Sequence, residues 1–105
     1  MDNNLEIKLK ELKKGYLKKL EDMILSFKIL LNDNKVNIEE LYLKVHTISG
    51  TSGMYGLSEL SNNSTEFEFY LKPLKEEINS IDMIELKDKL SNFINYIEKV
   101  VLIGE

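Results

Sequence analysis

The only histidine in the chain, His46, is the side chain best suited to chemistry. The sequence contains no cysteine, which excludes a thiol nucleophile and a thiolate metal site. A single histidine cannot form the two-histidine zinc pair of helical metalloproteases, and the chain has neither a glycine-rich phosphate loop nor the carboxylate spacing of a metal loop. An exposed imidazole is largely neutral at cellular pH and keeps a nitrogen lone pair for attack. The sequence therefore indicates His46 as a candidate nucleophile.

The residues around His46 are small for the middle of a helix. Apolar spacing puts the buried stripe of this helix at Leu41, Val45 and Ile48, and His46 lies well off that stripe, so we expect it to be exposed. Two glycines on the same outer face each cost about 1 kcal/mol relative to alanine in a helix interior. They leave a bare surface on which a partner protein can bring a reactive group within about 3 Å of the imidazole. The outer face around His46 comprises Glu39, Tyr42, Leu43, Ser49, Gly50 and Gly53.

Two plainer interpretations stay open for these residues. A lone histidine on a helix is most often a surface residue without a chemical role. Glycines also permit the close approach of a neighbouring helix, so Gly50 and Gly53 suit packing within the protein as well as docking of a partner.

Helical periodicity runs through the whole chain. Four segments carry apolar residues at alternating spacings of three and four, the pattern of a helix with one buried face, and none shows the period-two alternation of a half-buried strand. We therefore predict an all-α fold, and short connections favour an antiparallel up-down four-helix bundle. The first predicted stripe is Leu5, Leu9, Leu12, Tyr16, Leu20, Met23, Phe27 and Leu30. The predicted core includes Leu41, Val45, Ile48, Leu60, Phe67, Leu90, Phe93 and Ile97.

Capping residues mark the starts of two helices. Asn37 followed by Glu40 has the spacing of a cap residue and the third helical residue. Asp82 followed by Glu85 repeats that spacing before the last helix. Both pairs predict a helix that begins at the next residue.

Glycine and proline mark the other boundaries. Gly56 separates the second and third stripes, and Pro73 is expected to end or kink the third helix near Lys72. Gly15 is a candidate junction between a short extra N-terminal helix and a longer one. The expected bundle thus has four helices, with an optional fifth at its start.

Composition narrows the classes of function. The 105 residues match one domain, 1–105, and no apolar run approaches the length of about 20 residues that crosses a bilayer, so we expect a cytoplasmic protein without a membrane segment. The net charge is −4 and all 14 basic residues are lysines, which disfavours nucleic-acid binding because arginine is the residue best suited to bidentate phosphate contacts. Six lysines near the N-terminus alternate with acids and are interpreted as a solvated face; they are Lys8, Lys10, Lys13, Lys14, Lys18 and Lys19.

The segment around the histidine resembles the phosphoacceptor motif of histidine phosphotransfer (HPt) domains. In that motif the histidine is followed by an apolar residue at the second position, glycine at the fourth and glycine at the tenth. Ile48, Gly50 and Gly56 match those positions after His46. The resemblance extends through Leu57 and Leu60 to the pair Phe67 and Glu68, which are similar to the apolar-acid ending of the family's next helix.

The resemblance implies a phosphorelay function. The chain is then a phosphocarrier without enzymatic activity of its own, and His46 accepts a phosphoryl group from, and passes it to, an aspartate of a response-regulator receiver domain or of a hybrid histidine kinase. The receiver supplies the magnesium ion, so the chain needs no cofactor and no metal. Residues assigned to partner docking or to the phosphoryl surroundings are Tyr42, Leu43, Ser49, Gly50, Gly53, Glu68 and Lys72, and Gly56 is assigned to the structural motif.

One position departs from the family pattern. The family commonly has a lysine three residues after the histidine, and this chain has Ser49 there. A lysine at that position can compensate the phosphoryl charge, whereas serine offers a neutral hydroxyl. Lys72, one turn beyond Glu68, is the expected substitute if its helix packs alongside.

Three alternatives differ from a free phosphocarrier. The nearest alternative is the phosphoacceptor domain of a larger histidine kinase, and the second is a binding module that keeps the HPt fold without transferring phosphate. The third alternative is a helical dimerisation module, because the fourth helix is more apolar than one stripe requires, although bundle packing accounts for most of that excess and we expect a monomer. The residues concerned run from Leu86 to Val100, with Ile94, Val101, Leu102 and Ile103 in addition.

Overall fold

The computed structural model describes residues 3–77 and 81–104, and these form four α-helices. Helix α1 spans Asn3–Asn32, α2 spans Ile38–Ser52, α3 spans Ser58–Leu74 and α4 spans Met83–Ile103; a 3₁₀ turn, Gly53–Tyr55, follows α2. The described ranges contain no strand. Helix α2 packs most extensively against α3, and α1 packs against α4, so successive helices run up and down one bundle. The predicted all-α four-helix fold is confirmed.

Both predicted caps form as the sequence indicates. The Asn37 side-chain oxygen accepts the Glu40 backbone N–H at 3.1 Å, and Asp82 accepts the Glu85 backbone N–H at the same distance. Each bond satisfies a backbone donor at the start of a helix and contributes about 1 kcal/mol. These caps fix where α2 and α4 begin.

The turn between α2 and α3 depends on Gly56. This residue has φ of +76°, a left-handed conformation that glycine adopts without strain. The chain reverses there, and the Leu57 backbone N–H donates to the carbonyl of Ser52 at 3.0 Å. The turn therefore places α3 directly alongside α2.

Helix α3 ends slightly later than Pro73 suggested. Pro73 lies inside the last turn and the helix continues to Leu74, two residues past the expected end at Lys72. Proline removes only its own N–H from the helix, so the turn that precedes it can close before the chain leaves the helix.

The optional short N-terminal helix does not form as a separate element, because α1 runs unbroken through Gly15. A glycine in a helix interior costs about 1 kcal/mol but does not by itself end the helix. The N-terminal part of the predicted stripe was also wrongly placed in the core. Leu5, Leu9 and Leu12 are 52%, 56% and 57% exposed, and the first buried residue of α1 is Tyr16. Helix α1 is about 45 Å long, and its start extends beyond the core formed with the other helices.

The core joins all four helices. Phe93 of α4 meets Phe27 of α1 edge-on at 5.7 Å between ring centroids and lies 5.1 Å from the ring of Phe67 on α3. Such aromatic contacts add about 0.5–1.5 kcal/mol each beyond the burial of their area. All eight predicted core residues are buried, namely Leu41, Val45, Ile48, Leu60, Phe67, Leu90, Phe93 and Ile97.

No helix in the described ranges is long and apolar enough to cross a bilayer.

The extra apolar residues of α4 divide between core and surface. Ile94 is buried, whereas Leu102 and Ile103 are 84% and 73% exposed. Packing of the bundle therefore accounts for Ile94 but not for the last two residues.

Candidate functional site

His46 lies in the middle of α2 and faces away from the core. Its side chain is 60% exposed, whereas Val45 and Ile48 on the same helix are fully buried. The expected exposure of the histidine is confirmed. The imidazole is thus open to a second molecule while its backbone is held by the bundle.

Glu68 of α3 fixes the orientation of the imidazole. One carboxylate oxygen, Oε2, lies 2.8 Å from His46 Nδ1, and the Glu68 side chain is 19% exposed. An ionised carboxylate only accepts hydrogen bonds. The proton of the neutral ring therefore lies on Nδ1, and this N–H donates the hydrogen bond to Glu68. The other ring nitrogen, Nε2, has no hydrogen-bond partner among the described residues. In the neutral ring, Nε2 therefore holds the free lone pair on the exposed side.

Tyr42 supports the same pair from one turn earlier in α2. Its ring is nearly parallel to the imidazole of His46, with 5.9 Å between centroids. Its hydroxyl donates to Oε2 of Glu68 over 3.4 Å, so the two α2 residues share one carboxylate oxygen. Partial burial, together with the charge and the hydrogen bond of Glu68, raises the pKa of Tyr42. The phenol therefore stays protonated, and remains a donor, beyond its ordinary range.

The lysine that follows α3 lies over the ring of Tyr42. The Lys75 ammonium lies 4.0 Å from the centroid of the Tyr42 ring, within the range of a cation–π contact. Lys72, the residue expected to replace the missing lysine, is exposed, and its ammonium makes no hydrogen bond or ion pair with the described residues. The lysine that contacts Tyr42, the residue stacked on His46, is therefore Lys75.

Ser49 is tied to the neighbouring helix. Its hydroxyl lies 2.8 Å from Thr65 Oγ1, and its carbonyl accepts a hydrogen bond from the Ser61 hydroxyl at 3.0 Å. Thr65 in turn donates to the Ser61 carbonyl at 2.8 Å. Small polar residues thus join α2 to α3 beside the histidine, and no ammonium group occupies this position.

The two glycines near His46 have different surroundings. A Cβ built on Gly50 would meet nothing within 4 Å, whereas one on Gly53 would lie 3.6 Å from Ser61 Oγ. Gly50 therefore leaves open space on the outer face, and Gly53 lies beside α3. The open space at Gly50 fits docking of a partner, and the position of Gly53 fits packing of α2 against α3. Leu43 is 56% exposed on the outer face of α2.

The register of α2 against α3 brings the site together. His46 faces Glu68, and Ser49, three residues later on α2, faces Thr65, three residues earlier on α3. This is the pairing of two antiparallel helices in close contact. Sequence reasoning included Glu68 and Ser49 in the site but missed Thr65 and Lys75. Helical spacing was the available signal for Thr65, which lies three residues before Glu68 and so shares its face.

Comparison of the chain with protein-family models, curated proteins and solved structures gives no match. The HPt resemblance therefore depends on the sequence motif around His46 alone. In the described ranges no group of three histidine or acidic residues is placed to hold a metal ion. The arrangement offers one exposed nucleophilic nitrogen, a carboxylate behind it and an open approach beside Gly50.

Proposed function

We propose that this chain is an HPt-type phosphocarrier in which His46 Nε2 accepts a phosphoryl group from an aspartyl phosphate of a receiver domain and returns it to such an aspartate. The observation that carries the proposal is the 2.8 Å bond from His46 Nδ1 to Glu68. It leaves Nε2 as the nucleophilic nitrogen on a ring that is 60% exposed.

The transfer step follows from this geometry. The Nε2 lone pair attacks phosphorus in line with the bond to the aspartyl oxygen, a nitrogen–phosphorus bond forms, and the phosphorus–oxygen bond breaks to leave a free carboxylate. The ring gains positive charge as the bond forms, and the Glu68 carboxylate on Nδ1 offsets that charge. The receiver supplies the magnesium ion that neutralises the phosphoryl oxygens. The reverse reaction uses the same groups.

The open face of α2 suits docking of the receiver. In-line transfer requires the receiver's acidic pocket to approach Nε2 to about 3 Å. Gly50 leaves the space beside the ring empty, and Leu43 presents an apolar side chain nearby. We propose that these two residues contact the receiver. We also propose that the phosphocarrier acts in the cytoplasm, and that neither nucleic acid nor a membrane is its partner.

Phosphotransfer profiling tests the proposal. The purified chain is incubated with each phosphorylated receiver of its own organism, and we expect rapid labelling by at least one receiver, with an acid-labile adduct at His46. The matched control is His46→Gln, which keeps an exposed polar side chain and should abolish labelling while the helical circular dichroism is unchanged. Labelling that persists in His46→Gln would exclude this residue as the acceptor.

Ser49 favours a second candidate, a binding module that keeps this fold without transferring phosphate. The hydroxyl of Ser49 is engaged with Thr65, and no cation stands at the position where the HPt motif usually has lysine. The same profiling separates the two functions. A receiver that binds the chain but never labels it would establish the binding module.

A further inference from the structure

The start of α1 extends beyond the core that this helix forms with the rest of the bundle. Every residue from 3 to 12 is exposed, although three leucines in this segment follow the same spacing as the buried part of the helix. Most of the stability of a helix in a protein comes from packing of its apolar face, so a partner that covers the apolar side of this segment would stabilise it. We call the exposed leucines the N-terminal stripe; they are Leu5, Leu9 and Leu12.

The width of the N-terminal stripe indicates the kind of partner. The spacings of four and three between its leucines continue to Tyr16, so these residues occupy alternate d and a positions of a heptad. The flanking positions 6, 8 and 13 carry no apolar residue. A helix that lies on a membrane or against a broad core carries an apolar face of 100° or more, whereas a seam limited to a and d positions is typical of coiled-coil pairing. Lysine and glutamate border the seam at Lys8, Lys13 and Glu6.

The charges beside the seam favour a second copy in the antiparallel direction. In that arrangement Leu9 packs against Leu12 of the other copy, and Glu6 lies beside Lys13 of the other copy on both sides of the symmetry axis. A parallel pair would instead place Lys8 beside Lys13 of the other copy, which is repulsive. The seam is thus self-complementary in one direction only.

The end of the bundle has room for the partner helix. A groove between the N-terminal stripe and the 3₁₀ turn is lined by Leu9, Leu12, Met54 and Tyr55, and Met54 is 78% exposed. In the antiparallel pair, Leu5 of the second copy approaches Tyr16 and so enters this groove.

We propose that two copies of this chain pair through the N-terminal stripe as a short antiparallel coiled coil. This departs from the monomer expected from the sequence. Thr51 of α2 contacts Tyr16 of α1, whereas His46 of α2 faces Glu68 of α3, so the paired helices leave the imidazole uncovered. The dimer and the proposed phosphotransfer are therefore independent of each other.

Sedimentation equilibrium of the full chain over a wide concentration range measures the pairing. One short helix per copy buries less than the standard interface of about 1,600 Å², so we expect a dissociation constant on the order of 10 μM. Leu9→Glu should raise that constant by at least about tenfold. The matched control is Ile7→Glu, because Ile7 is 54% exposed on the opposite face of the same segment and the variant adds the same charge. A chain that stays monomeric throughout, or equal weakening by the two variants, would overturn the proposal.

Charge exchange tests the direction of pairing. Glu6→Lys and Lys13→Glu should each weaken the dimer, and the double variant should restore it because the pair across the seam is re-formed with its signs reversed. In a parallel dimer Lys13→Glu would face Lys8 and strengthen the association, so that result would overturn the antiparallel arrangement.

Disulfide trapping gives a second measure of the direction. The chain has no cysteine, so a tagged Leu9→Cys variant mixed with an untagged Leu12→Cys variant should form mainly the mixed disulfide. Predominant homodimer disulfides would contradict the proposal.

Binding of the chain to phosphatidylserine vesicles without dimerisation in solution would overturn the proposal in favour of a membrane surface as the partner. In either case, transfer to His46 in Leu9→Glu reports separately on the proposed phosphocarrier function.

Discussion

Ser49 and Thr65 join α2 to α3 through a 2.8 Å contact between their hydroxyl oxygens, at the position where the HPt motif usually carries a lysine. The neutral pair stabilises the helix contact but leaves the surroundings of the proposed phosphohistidine without that positive charge. This relationship makes Ser49 the most informative position to change.

We expect Ser49→Lys to lengthen the lifetime of phosphohistidine severalfold. An ammonium one turn from His46 can contact the phosphoryl oxygens, and an exposed charge contact is worth up to about 1 kcal/mol. The variant also loses the Thr65 hydrogen bond, at a cost of about 1 kcal/mol in the free energy of unfolding. The decay of the phosphorylated protein measures the first effect. Ser49→Ala is the control, since it loses the hydroxyl without adding charge and should not lengthen the lifetime.

A second prediction concerns which lysine compensates for Ser49. Lys75→Ala should slow transfer more than Lys72→Ala, because Lys75 contacts the Tyr42 ring that stacks on His46. The loss should be no more than severalfold, as expected for an exposed charge. Transfer rates of each alanine variant, alone and with Ser49→Lys, form a double-mutant cycle. A larger effect of Lys72→Ala would restore the assignment made from the sequence, and strictly additive effects would exclude both lysines.

Glu68→Gln should lower the transfer rate about tenfold, which corresponds to about 1.4 kcal/mol in the barrier. The amide oxygen can still accept a hydrogen bond from His46 Nδ1. It lacks the negative charge that offsets the positive charge of the imidazole as the ring is phosphorylated. Transfer kinetics measure the rate, and nitrogen NMR of the imidazole reports which ring nitrogen carries the proton. Glu68→Leu should in addition populate the other tautomer. An unchanged tautomer ratio in Glu68→Leu would show that the carboxylate does not orient the ring.

The two glycines beside His46 should respond differently to a large side chain. Gly50→Leu should fold at least as stably as the parent, because nothing lies within 4 Å of the added Cβ and a glycine in a helix interior costs about 1 kcal/mol. It should transfer poorly because its side chain fills the approach to the imidazole. Gly53→Leu places its Cβ in ordinary van der Waals contact with Ser61, 3.6 Å from Oγ, so it should also fold, and with its side chain beside α3 it should slow transfer less than Gly50→Leu. Denaturant titration and transfer rates separate the two outcomes. Undiminished transfer in Gly50→Leu would show that the receiver does not approach over this residue.

The free energy of unfolding should decrease as the pH rises above about 10. Burial raises the pKa of Tyr16 in the folded chain above its ordinary value of 10.0, although the hydrogen bond with Thr51 opposes the shift. The folded state therefore holds the phenolic proton more tightly than the unfolded state, so this contribution is present below pH 10 and is lost as the pH rises. Denaturant unfolding over that range measures it, with Tyr16→Phe as the control. The difference in stability between the two proteins should change with pH only in the alkaline range.

Local sequence patterns were sufficient for much of the fold. The caps at Asn37 and Asp82, the buried stripe of α2 and the break at Gly56 each depend on residues close together in the chain, and each was predicted. The fate of Leu5, Leu9 and Leu12 was not, because their burial depends on how far the other helices extend. A spacing of three and four shows that a helix has an apolar face but not what covers it.

The candidate site shows the same division. Exposure of His46 followed from the position of the core stripe on its own helix. The pairing of His46 with Glu68, and of Ser49 with Thr65, depends on the register between α2 and α3, which a turn of a few residues sets. The contact between Lys75 and Tyr42 depends in addition on side-chain conformation, for which the sequence contains no signal.

The position of Tyr16 has a consequence for how α1 opens. This residue stacks on Tyr55 at 4.5 Å between ring centroids and bonds Thr51 at 2.7 Å, and it is the first buried residue of a continuous helix. Amide protons before it are protected only by the hydrogen bonds of the helix, whereas we expect those in the buried part after it to exchange mainly through global unfolding. The rate of amide hydrogen exchange along α1 should therefore decrease steeply at Tyr16 in the monomer. Where exchange before Tyr16 slows with rising protein concentration, it reports the closing of a second copy on the same helix.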